Sequence, residues 1–492
     1  MSENSFPQLN NNNNKIALVE GDASHTYADV NQRIDKFASG LLNGKQDLKE
    51  ERIAFFMPAS LDYVTTMHGV WRAGGIAVPL NVSSAVAELD HYLSCASVTR
   101  MIANGKYQDS LRELCASMNI ELLSVEDVMA EEAGDLPVID ENRRGMMLFT
   151  SGTTNKPKGV VSTHKTISAQ ITTLVEAWCW SEEDTIPLFL PVHHIHGIIN
   201  ILSCGLWAGA TVHLFAKFDI PKITAEIAAG TYNVFMAVPT IYVKLIQYFD
   251  TIDEAEVKKI CDGFRPMRLN ISGSAACPVK LFEQWQGLTG QVLLERYGMT
   301  EIGMGLSNPY SGERRAGHVG QALPGVEVQL FDEDNKLITE ENTPGEIRIK
   351  GDNLFLEYWD NEKATIESFH DSWFCTGDVA VLEDGYYRIM GRSSIDIIKS
   401  GGYKLSALEI EGTLLTHDDI AECAVIGVED ETWGESVMAF IGLKPGASME
   451  YADLKSWCKG KMSSYKIPKE IKIIDALPRN AMGKVTKSDL KP

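Results

Sequence analysis

The sequence predicts an α/β protein in two domains: a large N-terminal unit of parallel sheets layered with helices and closed by a small antiparallel, barrel-like subdomain, then a compact α+β C-terminal domain. Three observations carry this. Apolar runs of strand length, RIAFFM (Arg52–Met57), GIAVPL (Gly75–Leu80), VFMAVP (Val234–Pro239) and MRLNIS (Met267–Ser272), alternate with helix-like segments. Uninterrupted apolar runs are what strands covered on both faces require. After about Val319 the runs shorten and acquire turn signals, as in GVEVQLFDEDNK, GEIRIKG and DVAVLEDGYYRIMG, the texture of an antiparallel sheet. From Gly391, GRSSIDIIKSGGYKLSALEIE passes through glycines and small polar residues into an amphipathic helix, and AECAVIGVED, VMAFIGLK and ADLKSWCKGKM complete a small domain. The boundary is placed at residues 1–391 and 392–492.

A chain of 492 residues exceeds what one core usually organises. With 44% hydrophobic and 23% charged residues and a mean hydropathy of -0.10, the composition is that of a folded, water-soluble protein. A net charge of -22 repels nucleic acid and anionic membranes, so neither is expected as a partner. The segment Asp453–Pro492 runs against that average, with ten Lys or Arg to four Asp or Glu, either a solvated face or a surface for a polyanionic ligand. Nine cysteines without C-x-x-C spacing argue for free thiols in a reducing compartment. The start, MSENSFPQLNNNNN, lacks the pattern of a signal or transit peptide, and a cytoplasmic address is expected. The most membrane-like stretch, Gly197–Phe215, is interrupted by Asn200, Ser203 and His213 and reads as a buried helix and strand.

FTSGTTNKPKG, Phe149–Gly159, places glycines, hydroxyls and lysines in one loop. A Walker A loop is excluded, because Pro157 stands where the second glycine belongs. The chemistry still suits a phosphate: glycines let backbone N–H groups approach an anion, Ser151, Thr153 and Thr154 offer hydroxyls, and Lys156 and Lys158 offer charge. The alternative is a surface turn. Four further stretches bear on it. RLNISGSAA (Arg268–Ala276) is an apolar strand entering a small-residue turn able to pack on a flat ring, and ERYGMTE (Glu295–Glu301) holds a stacking Tyr297, a donor Thr300 and a cation-binding Glu301. Asp378 of CTGD and Arg392 of GR offer a carboxylate and a guanidinium for a ribose diol, and PRNAMGK (Pro478–Lys484) presents a lysine after a glycine turn.

Taken in this order, these motifs resemble the adenylate-forming superfamily of acyl-CoA synthetases, adenylation domains and firefly-type luciferases, from about Tyr27 to Lys487. The resemblance implies two half-reactions: a carboxylate attacks the α-phosphate of ATP to give an acyl-adenylate and pyrophosphate, then the thiol of coenzyme A takes the acyl group. It implies that Thr150, Ser151, Gly152, Thr153, Thr154, Lys156, Lys158 and Gly159 hold the ATP phosphates and that Glu301 supports Mg²⁺. Thr300 contacts the α-phosphate; Gly273, Ser274, Ala275, Tyr297, Gly298 and Met299 frame the adenine; Asp378 and Arg392 take the ribose. Lys484 bridges the substrate carboxylate and the α-phosphate. The superfamily rotates its small domain about a hinge, here Ser394 where Asp or Lys is common, and Gly401, Gly402 and Tyr403 match the loop admitting the pantetheine arm of coenzyme A.

The acid is read from three features. In LPVHHIHG (Leu190–Gly197) His194 and His196 bring polar rings to a place usually apolar in fatty-acyl relatives, as acid-pocket residues, a metal site or satisfied core histidines. Arg296, before Tyr297, and Arg268, opening RLNISGSAA, are the second and third. An unpaired buried arginine beside an alkyl tail costs several kcal/mol, whereas a second substrate carboxylate would match it bidentately. The competing explanation is a structural bridge to Glu295 or another acid. Together these details look most like the malonyl-CoA synthetase group, which implies malonate or methylmalonate as substrate. Another short, medium or aryl acid, a stand-alone adenylation domain, a non-catalytic nucleotide sensor and a luciferase-like oxygenase remain alternatives. Oligomeric state is not legible.

Overall fold

The computed structural model describes residues 6–10, 13–130, 134–150, 157–400, 403–430, 433–479 and 485–491. The apolar runs become parallel strands. Arg52–Phe55 and Ile76–Pro79 pair in parallel at the centre of a seven-stranded sheet, and Val234–Ala237, Leu269–Ser272 and Leu294–Met299 run in parallel through a five-stranded one. A four-stranded sheet, in which Ile16–Glu20, Thr211–Leu214 and Thr185–Leu188 are parallel, completes the layering.

The expected antiparallel subdomain is a six-stranded sheet of Val326–Phe331, Leu337–Ile338, Gly345–Gly351, Phe369–His370, Trp373–Glu383 and Tyr386–Arg392. It is stitched to its neighbours more closely than the sequence suggests. Gln321–Ala322 joins the five-stranded sheet, and Glu357–Tyr358 adds an edge to the seven-stranded sheet by pairing with Val160 and Val161. Sheet membership changes after Arg392, as Ile397–Ser400 pairs with Tyr403–Ser406 in a sheet shared with Ile420–Asp430, Gly434–Leu443 and Glu470–Ile473. The helix Ala407–Leu414 opens with Ser406, whose side chain accepts the Glu409 N–H, an N-cap.

Gly197–Phe215 is buried as expected, but its first part is a π-helix, His196–Ser203, continued by the α-helix Cys204–Ala208 and the strand Thr211–Leu214. The wider turn is a feature common at functional sites, and here it begins on His196.

The strand that leads into the site is held rigid by aromatic packing. Tyr242 and Phe264 meet the fully buried Trp285 edge-on, both at 4.8 Å between ring centroids, and Phe235 meets Phe264 at 5.2 Å. These rings join the strand Val234–Ala237 to the helices Pro239–Phe249, Glu254–Phe264 and Val279–Thr289. The Tyr242 hydroxyl donates to Ile271 O at 2.7 Å, so the aromatic layer is bonded to the strand Leu269–Ser272. Replacing a buried tryptophan by alanine typically costs about 3–5 kcal/mol, and Trp285→Ala is expected to lower the urea midpoint of the N-terminal unit by a corresponding amount.

Candidate active site

Two adjacent parallel strands deliver the central residues. Leu269–Ser272, buried throughout, ends at Gly273 and Ser274, while Leu294–Met299 carries Arg296 and Tyr297. Successive side chains on a strand point to opposite faces. Arg296 therefore faces Gly273 and Ser274, and Glu295 faces away, where it accepts the Gly317 N–H at 3.0 Å. That alternation removes Glu295 as a salt-bridge partner for Arg296.

Arg296 is 4% exposed and forms no ion pair among the described residues. Its Nη2 donates to Ser274 Oγ at 3.2 Å and its Nε has no partner among the described residues. Burial pulls the guanidinium down to about 9 from its ordinary range. His196, also buried, shares Ser274 Oγ through Nδ1 at 3.3 Å, and its Nε2 has no partner. Burial, followed by the Arg296 charge and then His194, holds His196 far below its usual value and so neutral. A buried cation and imidazole with unused donor capacity around one hydroxyl call for an acceptor from outside the chain.

Close approach makes the cluster possible. A Cβ on Gly273 would stand 2.6 Å from Arg296 Nε and 2.7 Å from Cζ, so only glycine lets the guanidinium lie there. Ser274 adopts φ +68°, a left-handed conformation that is strained for a residue other than glycine, and in it the hydroxyl contacts both neighbours. His194 stands in the turn before the π-helix with its ring 4.1 Å from that of His193.

Arg268 is not brought to this cluster. Its Nε and Nη2 donate to Asp184 at 2.6 and 2.5 Å, and its Nη1 to Trp178 O at 2.8 Å. It precedes Leu269, at the opposite end of the strand from Gly273, and about 3.3 Å of rise per residue separates the two. The expectation of Arg268 as an acid-pocket residue is thus replaced by a structural bridge, with Asp184 as the acid.

On the other side of Arg296, the Tyr297 hydroxyl donates to Asp378 Oδ2 at 2.5 Å, and Arg392 Nε lies 3.2 Å from Asp378 Oδ1. Cross-strand pairing of Asp378 with Arg392 sets this contact. Burial raises the Asp378 carboxyl, opposed by Arg392 and the tyrosine bond. Glu301, buried and likewise raised, accepts the Tyr358 hydroxyl at 2.9 Å, and Lys158 Nζ lies 4.8 Å from the centre of the Tyr358 ring. Tyr358, unmarked by any motif, thereby joins Lys158 to Glu301. Among the described residues no three His, Cys, Asp or Glu gather as a metal cage. A single carboxylate suits Mg²⁺, which usually takes one or two protein oxygens with phosphates and water.

Thr150 and Lys158 face each other at the ends of the strands Arg144–Thr150 and Lys158–Thr163, and Thr150 Oγ1 is buried without a partner among the described residues. Gly159 lies against Met147, Gly298 against the backbone of Gly303, Met299 pairs with Gly303, and Thr300 occupies the turn before Glu301. Ala275 follows Ser274 in the bend. Ser394 is exposed in the turn between the antiparallel sheet and the C-terminal sheet, and Tyr403 stacks on Tyr465 at 4.7 Å. Ser151, Gly152, Thr153, Thr154, Lys156, Gly401, Gly402 and Lys484 lie outside the described residues.

Gly273→Ala is expected to displace the Arg296 guanidinium and reduce turnover of the substrate acid at least tenfold, with the KM for nucleotide nearly unchanged in steady-state kinetics. Burial raises Glu295 to about 8, opposed by the Gly317 and Cys277 N–H groups. A carboxyl raised on folding contributes stability that is full below its unfolded value, about 4.3, and is lost as pH rises through 8. Glu295→Gln should flatten the fall in melting temperature between about pH 4.3 and 8, the window set by that shift.

Comparison with known proteins gives the family. Residues 6–359 match the model for AMP-binding enzymes and residues 409–484 the model for the AMP-binding enzyme C-terminal domain. The chain is 40% identical to the mitochondrial malonate–CoA ligase ACSF3 of Bos taurus over 97% of its own length and 88% of the relative's. It superposes on ATP-bound MatB from Rhodopseudomonas palustris with a TM-score of 0.90 at 31% identity, covering 99% of this chain and 98% of that one. Against the apo form of MatB, with the same identity and coverage, the TM-score is 0.82. With family matches spanning most of its length, the chain belongs to the AMP-binding enzymes.

Proposed function

We propose that this chain is an AMP-forming acid–thiol ligase that joins malonate, with methylmalonate as a related substrate, to coenzyme A. The observation carrying this reading is Arg296, a buried guanidinium with an unpartnered Nε beside a neutral His196. A monocarboxylic acid with an alkyl or aryl tail would leave that charge unpaired, whereas the second carboxylate of a diacid satisfies it. The first carboxylate then points toward the nucleotide residues on the same strand, beginning with Tyr297.

In the first step a carboxylate oxygen of the acid forms a bond to the α-phosphorus of ATP, and the bond to pyrophosphate breaks. Both reactants are anions, so positive groups must offset their repulsion and the charge developing on phosphorus. The loop Thr150–Gly159 and Lys158 hold the β- and γ-phosphates, and Thr300 donates toward the α-phosphate. Asp378 accepts from the ribose diol, with Tyr297 and Arg392 fixing its two oxygens. Lys484 bridges the acid and the α-phosphate. Mg²⁺, when bound, neutralises phosphate charge, and Glu301, oriented by Tyr358, is the residue that would hold it. In the second step the coenzyme A sulfur bonds to the acyl carbon and the bond to AMP breaks. The domain boundary after residue 391, rotation about Ser394 and passage of the pantetheine arm by Gly401, Gly402 and Tyr403 belong to this reading. The better match to ATP-bound than to apo MatB supports a domain arrangement of the nucleotide-bound kind.

All nine cysteines are free thiols, and no described helix is long and apolar enough to cross a membrane. A reducing compartment follows in this reading. We place the protein in the cytosol, with the mitochondrion of the bovine relative's name as the alternative that cell fractionation separates.

Pyrophosphate release across malonate, methylmalonate, acetate, octanoate and coumarate tests the assignment. Malonate is expected to exceed acetate by roughly 10⁴-fold in kcat/KM, the discrimination of a site left with an unpaired polar group by the wrong substrate. Arg296→Ala should remove about 2–5 kcal/mol of that preference. Octanoate or coumarate outrunning malonate would overturn the diacid assignment.

A further inference from the structure

Lys487 lies in the tail, three residues after Lys484, with its side chain only 10% exposed. Its Nζ donates to Asp396 Oδ1 at 2.5 Å and to Glu411 Oε1 at 2.7 Å. Glu411, on the helix Ala407–Leu414, also accepts the Val425 N–H at 2.7 Å. Lys487 thus bonds to both acids, and burial raises Glu411 against its pull.

Asp396 makes this more than a stabilising pair. It sits in the turn between Tyr386–Arg392 and Ile397–Ser400, and its Oδ2 accepts the Arg392 N–H at 3.1 Å. Its own N–H returns to Arg392 O at 2.8 Å. Gly391, at φ +123°, lets the carboxyl approach, since a Cβ there would fall 2.3 Å from Asp396 Cβ. One carboxylate is therefore held by the tail on one oxygen and, across Ser394, by Arg392 on the other. The Arg392 side chain in turn contacts Asp378, which receives the Tyr297 hydroxyl. An unbroken series of polar contacts runs from Lys487 to the residues placed around the nucleotide.

We propose that Lys487 and Asp396 are positioning residues that hold the tail bearing Lys484 against the ribose-binding residues during acyl-adenylate formation. This rests on the assignment of Lys484 in the preceding subsection. Lys484 stands three residues before Lys487 in the sequence, at most about 11 Å of extended chain. Rotation about Ser394 carries Asp396 away from Arg392 while Lys487, Asp396 and Glu411 travel together. The link from Asp396 to Arg392 therefore belongs to one domain arrangement, and the thioester step, which does not use Lys484, proceeds without it.

The test separates the half-reactions in the full-length enzyme. Acid-dependent ATP–pyrophosphate exchange reads adenylation, and thioester formation from supplied malonyl-adenylate and coenzyme A reads the second step. Asp396→Asn and Lys487→Met should each slow exchange at least thirtyfold with the KM for ATP changed less than threefold, and slow the second step less than threefold. Lys487→Met leaves two acids facing each other, so Asp396→Asn, with its fold checked by melting temperature, decides the matter if that variant does not fold. Equal losses in both half-reactions, the signature of a merely structural bridge, or undiminished exchange would overturn the proposal. Lys484→Ala runs alongside. If it leaves exchange intact, the role of Lys484 falls and this inference with it; if it abolishes exchange while Asp396→Asn does not slow it, only this inference falls.

Discussion

A guanidinium buried without a carboxylate is the constraint on which the site depends. The chain holds Arg296 inside the protein with one hydroxyl contact and an idle Nε, an arrangement that opposes folding by desolvation and is offset elsewhere. The offset is visible in the apolar strand Leu269–Ser272 and in the aromatic layer of Phe235, Tyr242, Phe264 and Trp285 beneath it. A rigid support keeps the guanidinium where a ligand can meet it, rather than letting it turn toward solvent or a protein acid.

The two arginines beside that strand show how one residue type is put to opposite uses. Arg268 faces Asp184, whose side chain is fully buried, and the pair satisfies itself with bidentate geometry and a carbonyl. Among the described residues, Arg296 has Ser274 as its hydrogen-bond partner, with the neutral imidazole of His196 sharing that hydroxyl. The first closes a junction between strands; the second is left open. Nothing in the residue itself makes that difference. It comes from the acid that chain folding places, or does not place, within reach.

Around the nucleotide residues, polar contacts connect segments far apart in sequence. Tyr297, Asp378 and Arg392 come from the five-stranded sheet and two strands of the antiparallel sheet, and Asp396 and Lys487 extend the series into the C-terminal domain. Glu301 is fixed by Tyr358, from the short strand that adds an edge to the seven-stranded sheet beside the phosphate-loop strands. The irregular joining of sheets around residues 320 and 358 is thus what brings Lys158, Glu301 and Tyr358 together and sets Tyr297 against Asp378.

The sequence by itself determined the layering and the local chemistry. Uninterrupted apolar runs demand two covered faces, which fixes buried parallel strands, and the glycine- and hydroxyl-rich motifs suit an anion because that chemistry needs only a few adjacent side chains and backbone groups. His196, Arg296, Asp378 and Arg392 stand out in the sequence by residue type and motif alone. The tertiary structure alone decided which arginine is free, that Gly273 is needed for a guanidinium 2.6 Å away, and that Asp184, Tyr358, Asp396 and Lys487 take part. The physical reason is that ionic pairing and close approach depend on distance in space and on the facing of strands. Those contacts join residues as far apart as Arg268 and Asp184 or Asp396 and Lys487, and no local pattern records them.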